Sequence, residues 1–474
     1  MDKAELVIIG AGPGGYAAAF LAADMGMKVT LIDKEKNPGG VCLYRGCIPS
    51  KALLHVAKLI NETKEASNWG IEFSEPKIDL KKLRDWKSSV VLNLTGGLGM
   101  LSKQRKINFV EGTASFKDSN TLTVKLKSGK TEELKFDNSI VATGSRIATI
   151  PSLNIKSKRL LNSTTALNLP AIPKSLLVVG GGYIGLELGS VYNALGSKVS
   201  VVEMTPGLLP GADRDLVSFL SRRIKENFDE VMLNSKVVEM KSVSQRMKNG
   251  IKVTIVDKDN NKKSTIYDYV LMSIGRKPVT EGLGLENTKV KVNERGWIVT
   301  DNQLRTSDKN IFAIGDIAGE PMLAHKASHE GRVAVEVIAG HKSVFEPLAI
   351  PAVVFTDPEI AWAGLTENQA REQKINYKVA KFPWAASGRA TTLGRKDGVT
   401  KLIVDPDTER LLGIGICGPG AGELIAEGVL AIEMGSNVTD LKLTIHPHPT
   451  LSETIMEAAE VFFGQSTHIY RPKR

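Results

Sequence analysis

Two stretches of the chain match position by position, at residues 6–33 and 176–203. They read LVIIGAGPGGYAAAFLAADMGMKVTLID and LLVVGGGYIGLELGSVYNALGSKVSVVE. Each opens on an apolar run, turns at G-x-G-x-x-G and continues into a helix-forming stretch. Eleven residues after the last motif glycine comes another glycine, Gly26 or Gly196. A Lys-Val pair and a second apolar run follow. Each ends on an acid eighteen residues past the motif, Asp33 or Glu203. A lone glycine motif constrains little. The complete series of strand, glycine turn, helix, strand and acid, repeated at the same offsets, predicts two Rossmann-like βαβ units.

The chemistry of such a unit fixes its ligand class. The glycines allow a tight turn and let a pyrophosphate approach the backbone. The helix start offers free N–H groups and a partial positive charge, and the acid accepts from a ribose hydroxyl. The chain is therefore expected to bind two dinucleotides. At the second site, Gly180, Gly182, Gly185 and Glu203 point to NAD. A 2′-phosphate beside Glu203 would be repelled, and Glu203-Met204-Thr205-Pro206 supplies no Arg.

FDNSIVATGSR (136–146) and YDYVLMSIGRKP (267–278) read as strands that close the two halves. IFAIGDIAG (311–319) is a third such strand, with Asp316 just past its end, where ligands of open α/β sheets lie. From about residue 350 the pattern changes to strands followed by helices with no glycine fingerprint, an α+β unit. The fold class expected is α/β, with two Rossmann-like domains and a C-terminal α+β domain. Its segments would be 1–148, 149–277, a return to the first domain at 278–348, and 349–474.

Two of only three cysteines, Cys42 and Cys47, sit in GGVCLYRGCIPSK (39–51). Three cysteines make no disulfide framework, and the cytoplasm is the expected location. There a thiol pair is catalytic or metal-binding. Zinc needs about four ligands, and neither Cys417 nor His55 completes a set, so no metal is expected. Five residues of helix rise about 7.5 Å, whereas a disulfide wants Cα atoms within about 7 Å. The backbone must leave the helix between the two cysteines, and Gly46 allows it. A dithiol and a nicotinamide both handle two electrons, and a flavin exchanges with each. The expected path runs between NAD, a flavin, the cysteine pair and an external substrate.

The net charge of +10 is spread along the chain with acids interleaved, so neither nucleic acid nor a membrane surface is an expected partner. The apolar start is broken by glycines and Pro13 and preceded only by Lys3, which predicts no signal or membrane span.

GGVCLYRGCIPSKALLHVAK resembles the active-site segment of the flavoprotein disulfide reductases, the class I pyridine nucleotide-disulfide oxidoreductases. The likeness runs from Leu6 to about Gly464. It includes ATGSR, GGGYIGLELGSVY, AIGDIAGEPMLAHKASHEG, TDPEIAWAGLTE, FPWAASGRA and HPHPTLSE. It is closest to the branch that oxidises protein-bound dihydrolipoyl groups with NAD. The resemblance implies FAD at Gly10, Gly12, Gly15 and Asp33, with Lys51, Gly112, Thr143, Gly144, Ser145, Asp316 and Ala324 contributing. Cys47 would face the flavin as the charge-transfer thiol, and Cys42 would exchange with the substrate. Lys51 and Glu187 would pair near the flavin. NAD would lie near Val237 and Gly275 as well as at the second fingerprint. His448 would be the base and Glu453 would orient it, reaching the thiols of the other subunit of a homodimer whose interface the C-terminal domain supplies. Partners would be lipoyl-bearing proteins of 2-oxoacid dehydrogenase complexes or the glycine cleavage system.

Glutathione-type reductases share the architecture but use NADPH, which Glu203 opposes. A flavoprotein that has lost turnover and serves as a sensing subunit is opposed by Cys42, Cys47, His448 and Glu453 together. One departure stands out. The family has Leu-Asn-x-Gly between the cysteines, and this chain has Leu43-Tyr44-Arg45-Gly46. Arg45 is expected either to favour the thiolate, if it faces the pair, or to bias which lipoyl protein docks.

Overall fold

The structure is a computed structural model and describes residues 1, 3–245 and 248–470. Its first sheet is parallel, in the order Asn108–Asp118, Val29–Asp33, Ala4–Ile9, Thr131–Val141, Ile311–Ala313. The two longest strands, Asn108–Asp118 and Thr131–Val141, outrun this sheet. Their extensions pair antiparallel with Thr121–Leu126. The second sheet repeats the plan, with Glu230–Met232, Lys198–Val202, Ser175–Val179, Tyr269–Met272 and Leu160–Asn162 all parallel. An antiparallel set, Lys236–Gln245, Lys248–Val256 and Lys262–Tyr267, stands beside it.

The apolar runs that read as continuous in the sequence are the central strands. Leu6, Val7 and Ile8, and Leu176, Leu177 and Val178, are fully buried because helices and crossing strands cover both faces. A short antiparallel ribbon, Ser145–Ile147 against Arg276–Pro278, joins the two units where the chain enters and leaves the second. After Ile311–Ala313 rejoins the first sheet, the C-terminal part forms a five-stranded antiparallel sheet. Helices Ala421–Glu433 and Glu453–Phe463 pack on it around Trp384, Phe382 and Ile455.

The second unit and the C-terminal sheet share a charged contact. Lys401 is 1% exposed, and its Nζ reaches Asp213 Oδ2 at 2.5 Å, Asp215 Oδ1 at 2.9 Å and Glu367 Oε1 at 3.1 Å. An ammonium buried this far is tolerable only when paired. Burial works against its charge, but the carboxylates prevail and hold its pKa above the usual lysine value. Among the described residues these three carboxylates are the one acidic group with metal-like spacing, and the lysine already occupies its centre.

Candidate active site

The two fingerprints fold into the same local structure. Gly10 and Gly180 adopt φ of +101° and +105°, which an L side chain rarely accepts. A Cβ on Gly15 would lie 1.9 Å from the Gly10 carbonyl oxygen, and one on Gly185 would lie 2.3 Å from that of Gly180. Gly12 and Gly182 each precede a helix with no side-chain cap, so the first N–H groups of Pro13–Asp24 and Tyr183–Ala194 stay available to an anion. The acids do matching work. Asp33 accepts from Ala11 N–H at 2.7 Å and Glu35 N–H at 2.9 Å. Glu203 accepts from Gly181 N–H at 2.7 Å and Thr205 N–H at 2.8 Å.

One cleft of about 430 Å3 runs from the first fingerprint to the thiols. Gly10, Gly12, Asp33, Cys42, Cys47, Lys51, Thr143, Gly144, Ser145, Glu187, Asp316 and Ala324 line it. This is a cradle suited to an extended dinucleotide: an uncapped helix start, a carboxylate at one end and a thiol pair at the other. Gly15 lies directly behind Gly10. Gly112 is not among the lining residues. It marks the point where its strand turns to pair antiparallel with Leu126. At the second fingerprint, Gly275 is at φ +110° beside Arg276, a cleft residue. Val237 packs with the core that holds Val202.

The backbone breaks between the cysteines as the spacing requires. Helix Gly40–Arg45 ends at Gly46, and helix Cys47–Glu65 begins at once. A Cβ on Gly46 would press within 2.9 Å of the Val41 oxygen and 3.2 Å of the Cys42 Cα. Cys47 is the first residue of a nineteen-residue helix, where the dipole favours an anion. It opens into the cleft, with protein around its other sides. Both cysteines are thiols in this structure. The hydrogen bond from Cys42 lowers the pKa of Cys47 to about 7, and the Lys51 charge adds to this against the cost of burial. The same bond, together with burial and the charge on Cys47, drives Cys42 up. Above about pH 7 the reduced pair therefore carries one thiolate, at Cys47, and one thiol, at Cys42.

Lys51 stands one turn after Cys47, and its Nζ meets Glu187 Oε1 and Oε2 at 3.0 and 2.9 Å. Glu187 is 3% exposed and also accepts from Phe355 N–H at 3.0 Å. The Phe355 ring lies 4.5 Å from the Lys51 ammonium. Phe355 was missed in the sequence; TDPEIAWAGLTE marks its segment but gives no hint of a main-chain donor reaching Glu187. Tyr183 was missed as well. It lines the cleft between the second fingerprint and the thiols, and burial pushes its phenol up to about 12. Arg276 donates to Ser145 Oγ at 2.7 Å, and Ser145 hydrogen-bonds Asp316, so the ribbon between the units is tied to the cleft.

His448 and Glu453 form a pair on the C-terminal domain, with Nδ1 to Oε1 at 2.8 Å. Nδ1 thus faces a carboxylate and Nε2 is left to accept a proton. Burial opposes ionisation of Glu453, but Thr450 N–H at 2.7 Å and His448 outweigh it and lower its pKa. His448 is 71% exposed and is not among the residues of the thiol cleft of its own chain. His446 anchors the start of the loop, with Nε2 2.7 Å from Glu427 Oε1.

Arg45 does not face the thiols. It pairs with Glu35, and the charges acting on the cysteines are those of Lys51 and Glu187. The expectation that Arg45 favours the thiolate is therefore corrected. The end of its short helix points it away from the pair, toward the loop that follows Asp33.

The pattern of the pyridine nucleotide-disulphide oxidoreductases matches residues 4–331, and that of their dimerisation domain matches 350–459. The chain belongs to this family, a class of flavoprotein disulfide oxidoreductases. Relatives 42–49% identical to it over nearly its whole length are dihydrolipoyl dehydrogenases, and its enzymatic type is theirs. The chain is 49% identical to that of Haemophilus influenzae, covering 99% of this chain and 97% of the relative. To that of Geobacillus stearothermophilus it is 46% identical, covering 98% of each. Among solved structures it is similar to LpdA of Mycobacterium tuberculosis, with TM-score 0.88 and 28% identity over 96% of this chain and 98% of that one. It is similar too to the HOCl-induced flavoprotein disulfide reductase RclA of Escherichia coli, with TM-score 0.85 and 29% identity over 98% and 99%. Among the described residues, no helix is long and apolar enough to cross a membrane.

The thiol pair gives a direct pH test. In the reduced protein, thiolate absorbance is expected to grow as pH rises through about 7 and to vanish below it, because the lowered pKa belongs to Cys47. Lys51→Met removes a positive charge from the thiolate and is expected to move that midpoint upward. An unchanged midpoint would show that the ammonium does not act on Cys47.

Proposed function

We propose that the chain oxidises protein-bound dihydrolipoyl groups to the lipoyl disulfide and delivers the electrons to NAD, by way of Cys42, Cys47 and FAD. The observation that carries this is the asymmetric thiol pair at the end of a cleft that starts at the first fingerprint. Bound FAD would supply the two-electron chemistry that couples a dithiol to a nicotinamide. It would be held by the Gly10–Gly15 turn, by Asp33 and by the 143–145 and Asp316 wall. NAD would be held by Gly180–Gly185 and Glu203.

The chain's own residues account for the exchange. In the oxidised pair, a substrate thiol gives its proton to His448 Nε2 of the partner subunit, and its sulfur attacks Cys42. The Cys42–Cys47 bond breaks, and Cys47 leaves as the thiolate favoured by the helix start and Lys51. The second substrate sulfur then attacks the first and releases Cys42, which ends as the thiol. Two electrons have moved from substrate to the pair. Of the two substrate protons, one rests on Cys42 and one has passed through His448. Glu453 holds the imidazole in the tautomer this needs. The thiolate is thereby left at the end of the pair nearer Lys51 and Glu187.

The match to the family's dimerisation domain, with His448 outside the thiol cleft of its own chain, supports a homodimer as the working unit. A cytoplasmic location fits the cysteine usage, and lipoyl-bearing proteins of 2-oxoacid dehydrogenase complexes or the glycine cleavage system are the partners. The test is anaerobic mixing of the FAD-loaded protein with dihydrolipoamide and NAD. NADH is expected to form rapidly; an intact flavin-bound dimer that makes none would overturn the reading.

A further inference from the structure

The departure between the cysteines has a structural consequence away from the thiols. Tyr44 and Arg45 both reach back to the loop 34–39 that follows Asp33. The Tyr44 hydroxyl donates to the Asn37 carbonyl at 3.1 Å, and the Arg45 guanidinium pairs with Glu35. Neither charge is free in solvent, the two side chains being 29% and 24% exposed. Glu35 and Arg45 line the same cleft as Asp33, and the Glu35 N–H donates to Asp33 Oδ1 at 2.9 Å. The loop between them leans on the fingerprint turn. Gly39 N–H donates to the Ala11 carbonyl at 2.8 Å, and a Cβ on Gly40 would come within 2.5 Å of the Gly12 Cα.

We propose that Glu35 and Arg45 form a clasp that closes the wall of the cleft over the ribose end of bound FAD and slows its escape. The inference rests on FAD occupying this cleft. The pair spans two segments that wall the cleft: the turn after Asp33 and the helix that carries Cys42. Because the guanidinium is turned onto a carboxylate, the clasp adds little net charge beside the pyrophosphate. Its action is to join the walls, not to bind phosphate. A half-buried, charge-assisted pair between segments resists opening, since both charges must be rehydrated as the walls separate. The clasp also secures Asp33 through the Glu35 main chain. The thiols lie outside its reach.

The test is the rate at which FAD fluorescence appears when the loaded dimer is diluted into flavin-free buffer. R45V and E35Q are expected to release FAD about tenfold faster, equivalent to about 1.4 kcal/mol in the barrier. The exchanged pair, E35R with R45E, is expected to return most of that loss. High salt is expected to speed release from the wild type more than from R45V, because it screens a charge pair that R45V lacks. The Cys47 titration should not move in any of these variants. Release from R45V at the wild-type rate would overturn the clasp while leaving FAD binding intact. A wild-type protein that retains no FAD would overturn the reading of the cleft itself. A shifted Cys47 titration in R45V would mean that Arg45 acts on the thiols after all.

Discussion

Replacing His448 by glutamine is expected to lower dihydrolipoamide oxidation about a thousandfold, within the range that a positioned general base contributes. Glutamine keeps a polar side chain near Glu453 but cannot accept a proton. The same variant should still pass electrons from NADH to a small artificial acceptor, because that route needs neither His448 nor a new sulfur bond. Loss of both activities would indicate a damaged fold or lost cofactor. Glu453→Gln should cost less, because the imidazole remains and the amide oxygen can still accept from either His448 Nδ1–H or Thr450 N–H.

The position of His448 makes a sharper test possible. It is exposed, and the thiol cleft of its own chain is lined by other residues. If the base acts across a dimer, an inactive Cys42→Ser subunit paired with an inactive His448→Gln subunit has one site with both defects and one with none. Random exchange between the two parent dimers should then restore about a quarter of the wild-type rate, since half of the dimers are mixed and each holds one good site of two. A base acting within its own chain would restore nothing on mixing.

The features legible in the sequence were those whose chemistry is local. Gly10, Gly180 and the two acids could be read because a fingerprint glycine and its acid act on the same turn, through positive φ and main-chain N–H groups. The break at Gly46 followed from helix rise alone. Contacts between distant segments were legible only through resemblance or not at all. Lys51 and Glu187 are 136 residues apart, and no periodicity joins them. The Phe355 main-chain donor to Glu187 has no side-chain signature. Lys401 looked like any strand lysine, yet tertiary folding buried it among three acids from two segments. Arg45 shows the limit most clearly. Its sequence neighbours are the cysteines, so proximity along the chain suggested the thiols. The short helix directs it to Glu35, which reads in the sequence as an ordinary surface acid.

Choice of nucleotide is expected to follow from Glu203. The wild-type protein is expected to favour NAD over NADP by about a thousandfold in kcat/KM, the size of a like-charge contact of several kcal/mol. Glu203 is 8% exposed, so little solvent screens its charge from a 2′-phosphate. It cannot swing aside easily, because both oxygens are held by main-chain donors, Gly181 N–H and Thr205 N–H. The same bonds make Glu203→Gln a poor neutral mimic. One main-chain donor would face the new amide NH2 group, and the turn that receives the pyrophosphate would loosen. Glu203→Gln is therefore expected to raise KM for NAD about tenfold or more, while gaining little with NADP, since removing a repulsion does not supply a partner for the phosphate. Glu203→Ser with Met204→Arg removes the charge and offers a guanidinium, and should narrow the NAD preference further. Measuring kcat/KM for both nucleotides on the three proteins decides the matter. Equal use of NAD and NADP by the wild type would mean that the bound ribose lies away from Glu203. The matched hydrogen bonds at Asp33 and Glu203 would then reflect turn formation alone.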